Sequence, residues 1–194
     1  MSAVANKALR KETSFGRNAR LAASAWGFAL ILASLLVASC PAVSGAPAGS
    51  HRVSLVNKKA PEFAVRDLSG KNLVLRDLRG KVVLLNFWAT WCSPCLVEMP
   101  VFAKWQQQYG AQGLQVVGIS MDDDSAPVRR LLAKMKLNYP IAMGDAALGE
   151  RYGGVLGLPL TYLIDRDGTV RAQFQGETDA NTIEKQLRPM LNQR

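Results

Sequence analysis

Apolar residues fall into two kinds of run along this chain. The first is a single stretch, residues 21–39 (LAASAWGFALILASLLVAS), nineteen positions without a charge or a polar face. The second kind recurs after residue 60, where short apolar runs alternate with amphipathic segments. Residues 82–88 (VVLLNFW) lack strict alternation, as expected of a central strand covered on both faces. Residues 114–120 (LQVVGIS) read the same way. Between them, 93–109 carry helical spacing closed by Gly110. Residues 126–137 read as a second helix, 139–143 as a short strand, and 146–152 as a short helix ended by Gly153 and Gly154. Residues 160–164 and 170–175 are strands joined by Asp165-Arg166-Asp167-Gly168, a hairpin turn signal. An earlier hairpin pairs 62–65 with 72–75 around Asp67-Leu68-Ser69-Gly70. Residues 178–191 close the chain as an amphipathic helix. The order ββ-β-α-β-α-β-α-β-β-α predicts an α/β protein, a three-layer sandwich with a mixed sheet.

The chain divides accordingly into an N-terminal signal or membrane anchor (1–40), a linker rich in Pro, Ala, Gly and Ser (41–58) and a globular domain (59–194). The apolar stretch exceeds the usual signal h-region of roughly 7–15 residues and approaches the ~20 that span a bilayer. Basic residues precede it, so the domain is expected outside the cytoplasm. Three finishes stay open. Val37-Ala38-Ser39-Cys40 resembles a lipobox with Cys40 lipidated, although Pro41 is an unusual neighbour. Ala46-Pro47-Ala48 offers a cleavage site, and the segment can stay as an uncleaved anchor. Retention at the membrane is the favoured reading.

Net charge is +9, of which Lys7, Arg10, Lys11, Arg17 and Arg20 against Glu12 supply four. The other basic residues are scattered, with no cluster interleaved with aromatics, so nucleic acid is not an expected partner. Asp122-Asp123-Asp124-Ser125 invites a metal, but is read as capping and charging the N-terminus of the helix that follows. The only histidine, His51, lies in the linker and has no second histidine to join it. That argues against His–Cys catalysis and most zinc or copper sites.

Three cysteines are present, Cys40, Cys92 and Cys95, too few for a disulfide scaffold. Cys92 and Cys95 stand in WCSPC (residues 91–95), where the central strand ends and a helix begins. A thiol there meets unpaired backbone amides and the positive end of the helix dipole, which favour thiolate. Cys92 is therefore the expected attacking sulfur. Cys95, one turn later on the same face, can resolve a mixed disulfide. Pro94 stiffens the turn, and Trp91 offers an apolar surface to a partner. A zinc half-site would need a second ligand pair, which the domain lacks. No further cofactor is expected beyond a redox-active Cys92–Cys95 disulfide.

NFWATWCSPCLVEMP (residues 86–100) resembles the TlpA/ResA-like branch of the thioredoxin superfamily, bacterial thiol–disulfide oxidoreductases that are periplasmic or membrane-tethered. The likeness extends from APEF (60–63) through DLRGKVVLLNFW to VVGIS, GLPLTYLIDRDG and the last helix. It implies a thioredoxin-like fold with an added N-terminal β-hairpin and a central αβ insertion. It also implies that Pro159 is cis and faces the cysteine pair, and that Leu158 presents its backbone to an extended client segment. Glu98 matches the glutamate of the family's CxxCxxEMP motif and would move a proton on or off Cys95. Asn86 stands where ordinary thioredoxins carry a buried aspartate. Pro100 should kink its helix, as in relatives. Leu160, where many relatives have threonine, and an extra residue in 152–159 imply an altered client groove.

The function so implied is an extracytoplasmic disulfide reductase. Its partners would be disulfide-bearing client proteins, such as apocytochrome c or copper-site thiols, a membrane thiol–disulfide electron donor, and the inner membrane through the N-terminal segment. The proline between the cysteines resembles reducing members. The alternative is a copper or metal chaperone module on the same fold, but such relatives pair CxxxC with a distant histidine. A peroxidase would need a P-x-x-x-T-x-x-C setting, which this chain lacks.

Overall fold

A computed structural model describes residues 54–193. The 1–40 segment, with its alternative finishes around Cys40 and 46–48, and His51 lie outside the described residues.

Two strands, β1 (Ala64–Arg66) and β2 (Asn72–Val74), form the expected antiparallel hairpin, with Ala64 opposite Val74. Asp67 shapes its turn by accepting the amides of Ser69 and Lys71, both at 2.9 Å. Leu75–Leu78 leaves the hairpin as a 3-10 helix that the apolar pattern does not announce.

The five-stranded sheet has the order β5-β4-β3-β6-β7. Its members are β3 (Val82–Trp88), β4 (Leu114–Ser120), β5 (Ile141–Met143), β6 (Leu160–Ile164) and β7 (Val170–Gln175). β3, β4 and β5 run parallel, while β6 and β7 are antiparallel to their neighbours. Every residue of β3 is buried, which explains an apolar run interrupted by Asn86 alone. Val82, Leu84 and Trp88 join a core on one face of the sheet, and Val83, Leu85 and Phe87 join a second core on the other.

Helices α1 (Ser93–Tyr109) and α4 (Ala180–Asn192) cover the first face, through Met99, Phe102, Ile183 and Leu187. α2 (Ser125–Met135) adds Val128 to that core. The hairpin and α3 (Ala146–Arg151) contribute Phe63, Leu73 and Leu148 to the second. The three-layer α/β/α sandwich with a mixed sheet and an N-terminal hairpin is present. Between β4 and β6 the chain makes α2, β5 and α3, the expected central insertion.

Several boundaries differ for physical reasons. Gly110 keeps right-handed backbone (φ −56°) and continues into a 3-10 turn; the left-handed stop is Gly113 (φ 99°). α2 ends at Met135 because Lys136 adopts left-handed geometry (φ 50°). α4 starts after Asp179, whose backbone oxygen accepts the amides of Thr182 and Ile183. Pro100 lies inside α1, which continues to Tyr109. The packed body also reaches back into the expected linker. Leu55 is buried, Asn57 donates to the Val170 carbonyl at 2.8 Å, and Val170 returns a bond to Lys58 at 2.9 Å.

Arg166, in the β6–β7 turn, ties down the far end of the sheet. Its guanidinium donates to the carbonyls of Gly80 (2.5 Å), Gln193 (2.9 Å), Gln112 (3.1 Å) and Leu191 (3.2 Å). A lysine ammonium lacks the planar fork that spans these four acceptors. Arg166→Ala is expected to lower the unfolding free energy by about 1–3 kcal/mol, and Arg166→Lys to recover less than half of it. Urea unfolding checks this, and an unchanged midpoint for the alanine variant would refute it.

Candidate active site

β3 delivers the chain to the site. After Trp88, residues Ala89, Thr90 and Trp91 turn outward, and Cys92 takes the N-cap of α1 with extended backbone (φ −89°, ψ 94°). Its sulfur accepts the Cys95 amide at 3.3 Å, and its own amide donates to Ala89 at 3.1 Å. Pro94 sits at the start of the helix, where a missing N–H costs nothing. No carboxylate occupies the first turn, so nothing there opposes a negative sulfur at the helix N-terminus.

Cys92 and Cys95 form a disulfide with their Cα atoms 5.3 Å apart. The two sulfurs are unequally placed: Cys92 keeps 5 % exposure and Cys95 none. A partner from solvent therefore reaches Cys92 first.

Around the pair, Trp91 is 70 % exposed and Pro94 is half-buried. The Leu158–Pro159 peptide is cis. Phe87 pairs with Leu160 across β3 and β6, so Pro159 comes one step further, at the level of Trp88 and at the disulfide's end of the sheet. Leu158 is half-buried and packs against both cores. The Pro159 carbonyl accepts the Gly176 amide at 2.8 Å, linking this loop to the one after β7. Among the described residues the exposed large apolar side chains are Trp91, Val97 and Leu156. All three belong to the turn before the cysteines, the first turns of α1, or the loop before Pro159.

Glu98, one turn beyond Cys95, lies under the loop after β7. Burial pushes its carboxyl up to about 7, helped by the charge of Glu177 and opposed by the Thr178 amide. That amide reaches Oε1 at a long 3.5 Å, and Oε2 is buried without a partner. The carboxylate borders a cavity of about 180 Å³ that Pro94, Val97, Phe102 and Ile183 also line. Asn86 is buried on β3 and donates to Thr161 Oγ1 across the strand pair at 3.0 Å, so its amide is spent on the sheet.

The acidic triplet divides its work. Asp124 caps α2 by accepting the Ala126 amide at 2.9 Å, as expected of the segment. Asp122 instead turns toward the cysteine loop, accepting the Thr90 amide at 2.9 Å and its hydroxyl at 2.5 Å. Sequence reasoning missed both this pair and Thr178. A signal for the first existed: Trp88 and Ser120 are parallel partners, and Thr90 and Asp122 each follow two residues later. Among the described residues no group of three or more His, Cys, Asp or Glu is placed to hold a metal ion. Nor is any described helix long and apolar enough to cross a membrane.

Residues 56–173 match the AhpC/TSA family. The chain is similar to the thiol-disulfide oxidoreductase ResA of Bacillus anthracis, at 38 % identity over 69 % of this chain and 77 % of that protein. ResA of Bacillus thuringiensis is 35 % identical over the same shares. A Chlorobium tepidum structure assigned as thiol:disulfide interchange protein DsbE superposes with a TM-score of 0.67 at 34 % identity. That superposition covers 71 % of this chain and 98 % of that one.

Glu98 makes the pH dependence of stability a test of the site. Its folded-state pKa of about 7 lies above the ordinary 4.5, so the folded protein holds a proton that the unfolded chain has released. Stability then falls as pH rises through that window and levels off above it. Glu98 is partly solvated, so the effect is expected to be about 1–2 kcal/mol after screening. Glu98→Gln should flatten the fall in denaturation curves of the oxidised protein between about pH 4.5 and 7. Parallel curves for the two proteins would remove the elevated pKa.

Proposed function

The chain belongs to the AhpC/TSA family, among the thiol–disulfide oxidoreductases related to ResA, and from that premise we propose that it is an extracytoplasmic reductase of client-protein disulfides. The observation that carries this reading is the helix-capping sulfur of Cys92 with its partner Cys95 fully covered. One sulfur is set to attack and the other to resolve.

In the reduced enzyme the Cys92 thiolate attacks one sulfur of a client disulfide. The client S–S bond breaks, a mixed disulfide forms, and one client thiolate leaves and takes a proton from water. Cys95 then loses its proton, and its thiolate attacks the Cys92 sulfur. The second client thiolate departs, and the enzyme is left as the Cys92–Cys95 disulfide. Two electrons have passed from enzyme to client. A dithiol donor at the membrane returns them by the reverse exchange.

Glu98 is the group assigned to take the Cys95 proton, and a carboxyl near pH 7 beside a half-empty hydrogen-bond shell supports that role. Asn86, committed to Thr161, offers no competing route. Trp91 and Pro94 are assigned to the client surface, with Leu158 presenting its backbone to an extended client segment in strand fashion and Pro159 beside it facing the cysteine pair. The exposure of Trp91, Val97 and Leu156 supports an apolar client face.

Residues 1–40 are assigned as the signal or anchor, and the linker that follows is assigned to end before Leu55, where the packed body begins. The uncharged 21–39 stretch behind a basic segment supports placement outside the cytoplasm, at the inner membrane or in the periplasm after cleavage. Haem-binding thiols of apocytochrome c and copper-site thiols are the client classes proposed. No metal, nucleic acid or cofactor beyond the disulfide is required.

Cys95→Ser expressed in the native envelope is expected to accumulate mixed disulfides through Cys92, identifiable by mass spectrometry. Trapping by Cys92→Ser and not by Cys95→Ser would reverse the assignment of attacker and resolver. The reduction potential is expected at roughly −200 mV or below. A value more oxidising than about −150 mV would make the protein an oxidant instead.

A further inference from the structure

The turn that seats Cys92 is held from outside its own helix. Thr90, two residues before Cys92, gives both its amide and its hydroxyl to the Asp122 carboxylate, at 2.9 and 2.5 Å. Asp122 is itself fixed: Oδ2 also accepts the Ser120 hydroxyl at 2.7 Å, and its amide donates back to that hydroxyl at 3.2 Å. Ser120 is fully buried as the last residue of β4. A parallel bond, Met121 amide to Trp88 carbonyl at 2.8 Å, ties the next link of the two chains. The carboxylate therefore receives two hydroxyls and one amide, and two of these three belong to a single residue of the cysteine turn.

This arrangement exceeds what the fold needs. β3 and β4 are already paired over seven positions, Val82 with Leu114 through Trp88 with Ser120. Beyond that register the strands have ended, and Asp122 alone continues the connection by side chain. Whatever sets the direction of residues 90–92 also sets how the Cys92 sulfur meets the Cys95 amide, because Cys92 is the N-cap. Charge-assisted bonds of this kind are about twice as strong as neutral ones, which suits a clamp on a turn that must survive opening of the disulfide.

We propose that Asp122 is a positioning residue of the thiol site, acting through Thr90 to hold Cys92 at the helix N-terminus in the reduced enzyme. It touches neither sulfur. Its effect runs through geometry: a loosened turn takes the Cys92 thiolate away from the helix amides and so raises the thiol pKa. A direct effect of its negative charge would have the opposite sign, because removing an anion near a thiolate lowers that thiol's pKa.

The test uses the reduced protein and four variants, Asp122→Ala, Asp122→Asn, Thr90→Val and Thr90→Ser. The pH dependence of iodoacetamide alkylation at Cys92 reports its pKa, and insulin-disulfide reduction reports the exchange. Asp122→Ala and Thr90→Val are expected to raise the Cys92 pKa by roughly 0.5–1 unit and to slow reduction about 3- to 10-fold. Thr90→Ser, which keeps both donors, should restore the parent values; Thr90→Val serves should Asp122→Ala fail to fold. A lowered Cys92 pKa in Asp122→Asn, with reduction unimpaired, would replace positioning by a charge effect and overturn the proposal. So would unchanged alkylation profiles accompanied only by a lower melting temperature. The proposal rests on the exchange chemistry of Cys92, and a parent protein that reduces no disulfide would remove that reading before any variant is compared.

Discussion

Burial on both faces is the constraint from which the rest of this molecule follows. A strand with helices or hairpin above and below has no solvent side, so β3 is apolar except where Asn86 finds a cross-strand partner, and it has hydrogen-bonding neighbours on both edges. β4 and β6 supply those edges, one parallel and one antiparallel. Because all three are pinned in register, the end of β3 is a fixed point. The chain that leaves it has only a few residues before α1 begins, and the cysteine that fills the cap inherits that fixity. The position of Cys92 is thus set by the sheet as much as by the helix.

The neighbourhood of the disulfide is economical in polar groups. Glu98 is placed under a loop where one oxygen has a long contact and the other none. Burial so placed raises the carboxyl's pKa, and the Thr178 amide of the loop after β7 partly opposes it. Asn86, by contrast, carries no charge and donates to Thr161 across the strand pair. The strand position is thus held by a neutral amide, and the titratable group of this neighbourhood sits on the helix.

Much of this could be read from residue order. β3, β4, β6, β7 and α1 fall where their patterns place them, because each is long or bounded by strong punctuation. The cysteine pair and its strand-to-helix setting were equally plain, since spacing and context are both local. What escaped depended on partners distant in sequence. Leu55 looks like linker until Val170 and Gln173 are brought beside it. Gly110 looks like a helix stop, yet the chain needs three more residues to turn, and Gly113 takes the left-handed position. Asp122 resembles its neighbours in an acidic run and is separated from them only by the β3–β4 register. The cis bond at Pro159 was open to inference from family resemblance alone, since a proline by itself is usually trans.

The backward reach of the packed chain to Leu55 has a consequence for geometry at larger scale. Residues 57–59 pair with the start of β7, at Val170 and Thr169, while the end of β7 lies beside Pro159. β3 likewise runs from Val83, opposite Ile164, to Phe87, opposite Leu160. The domain therefore has two poles about 20 Å apart along the strands, with the incoming chain fastened at one and the disulfide at the other. The first packed residues therefore brace the β7 margin at the pole opposite the disulfide, and the two ends of the sheet are secured by different parts of the chain.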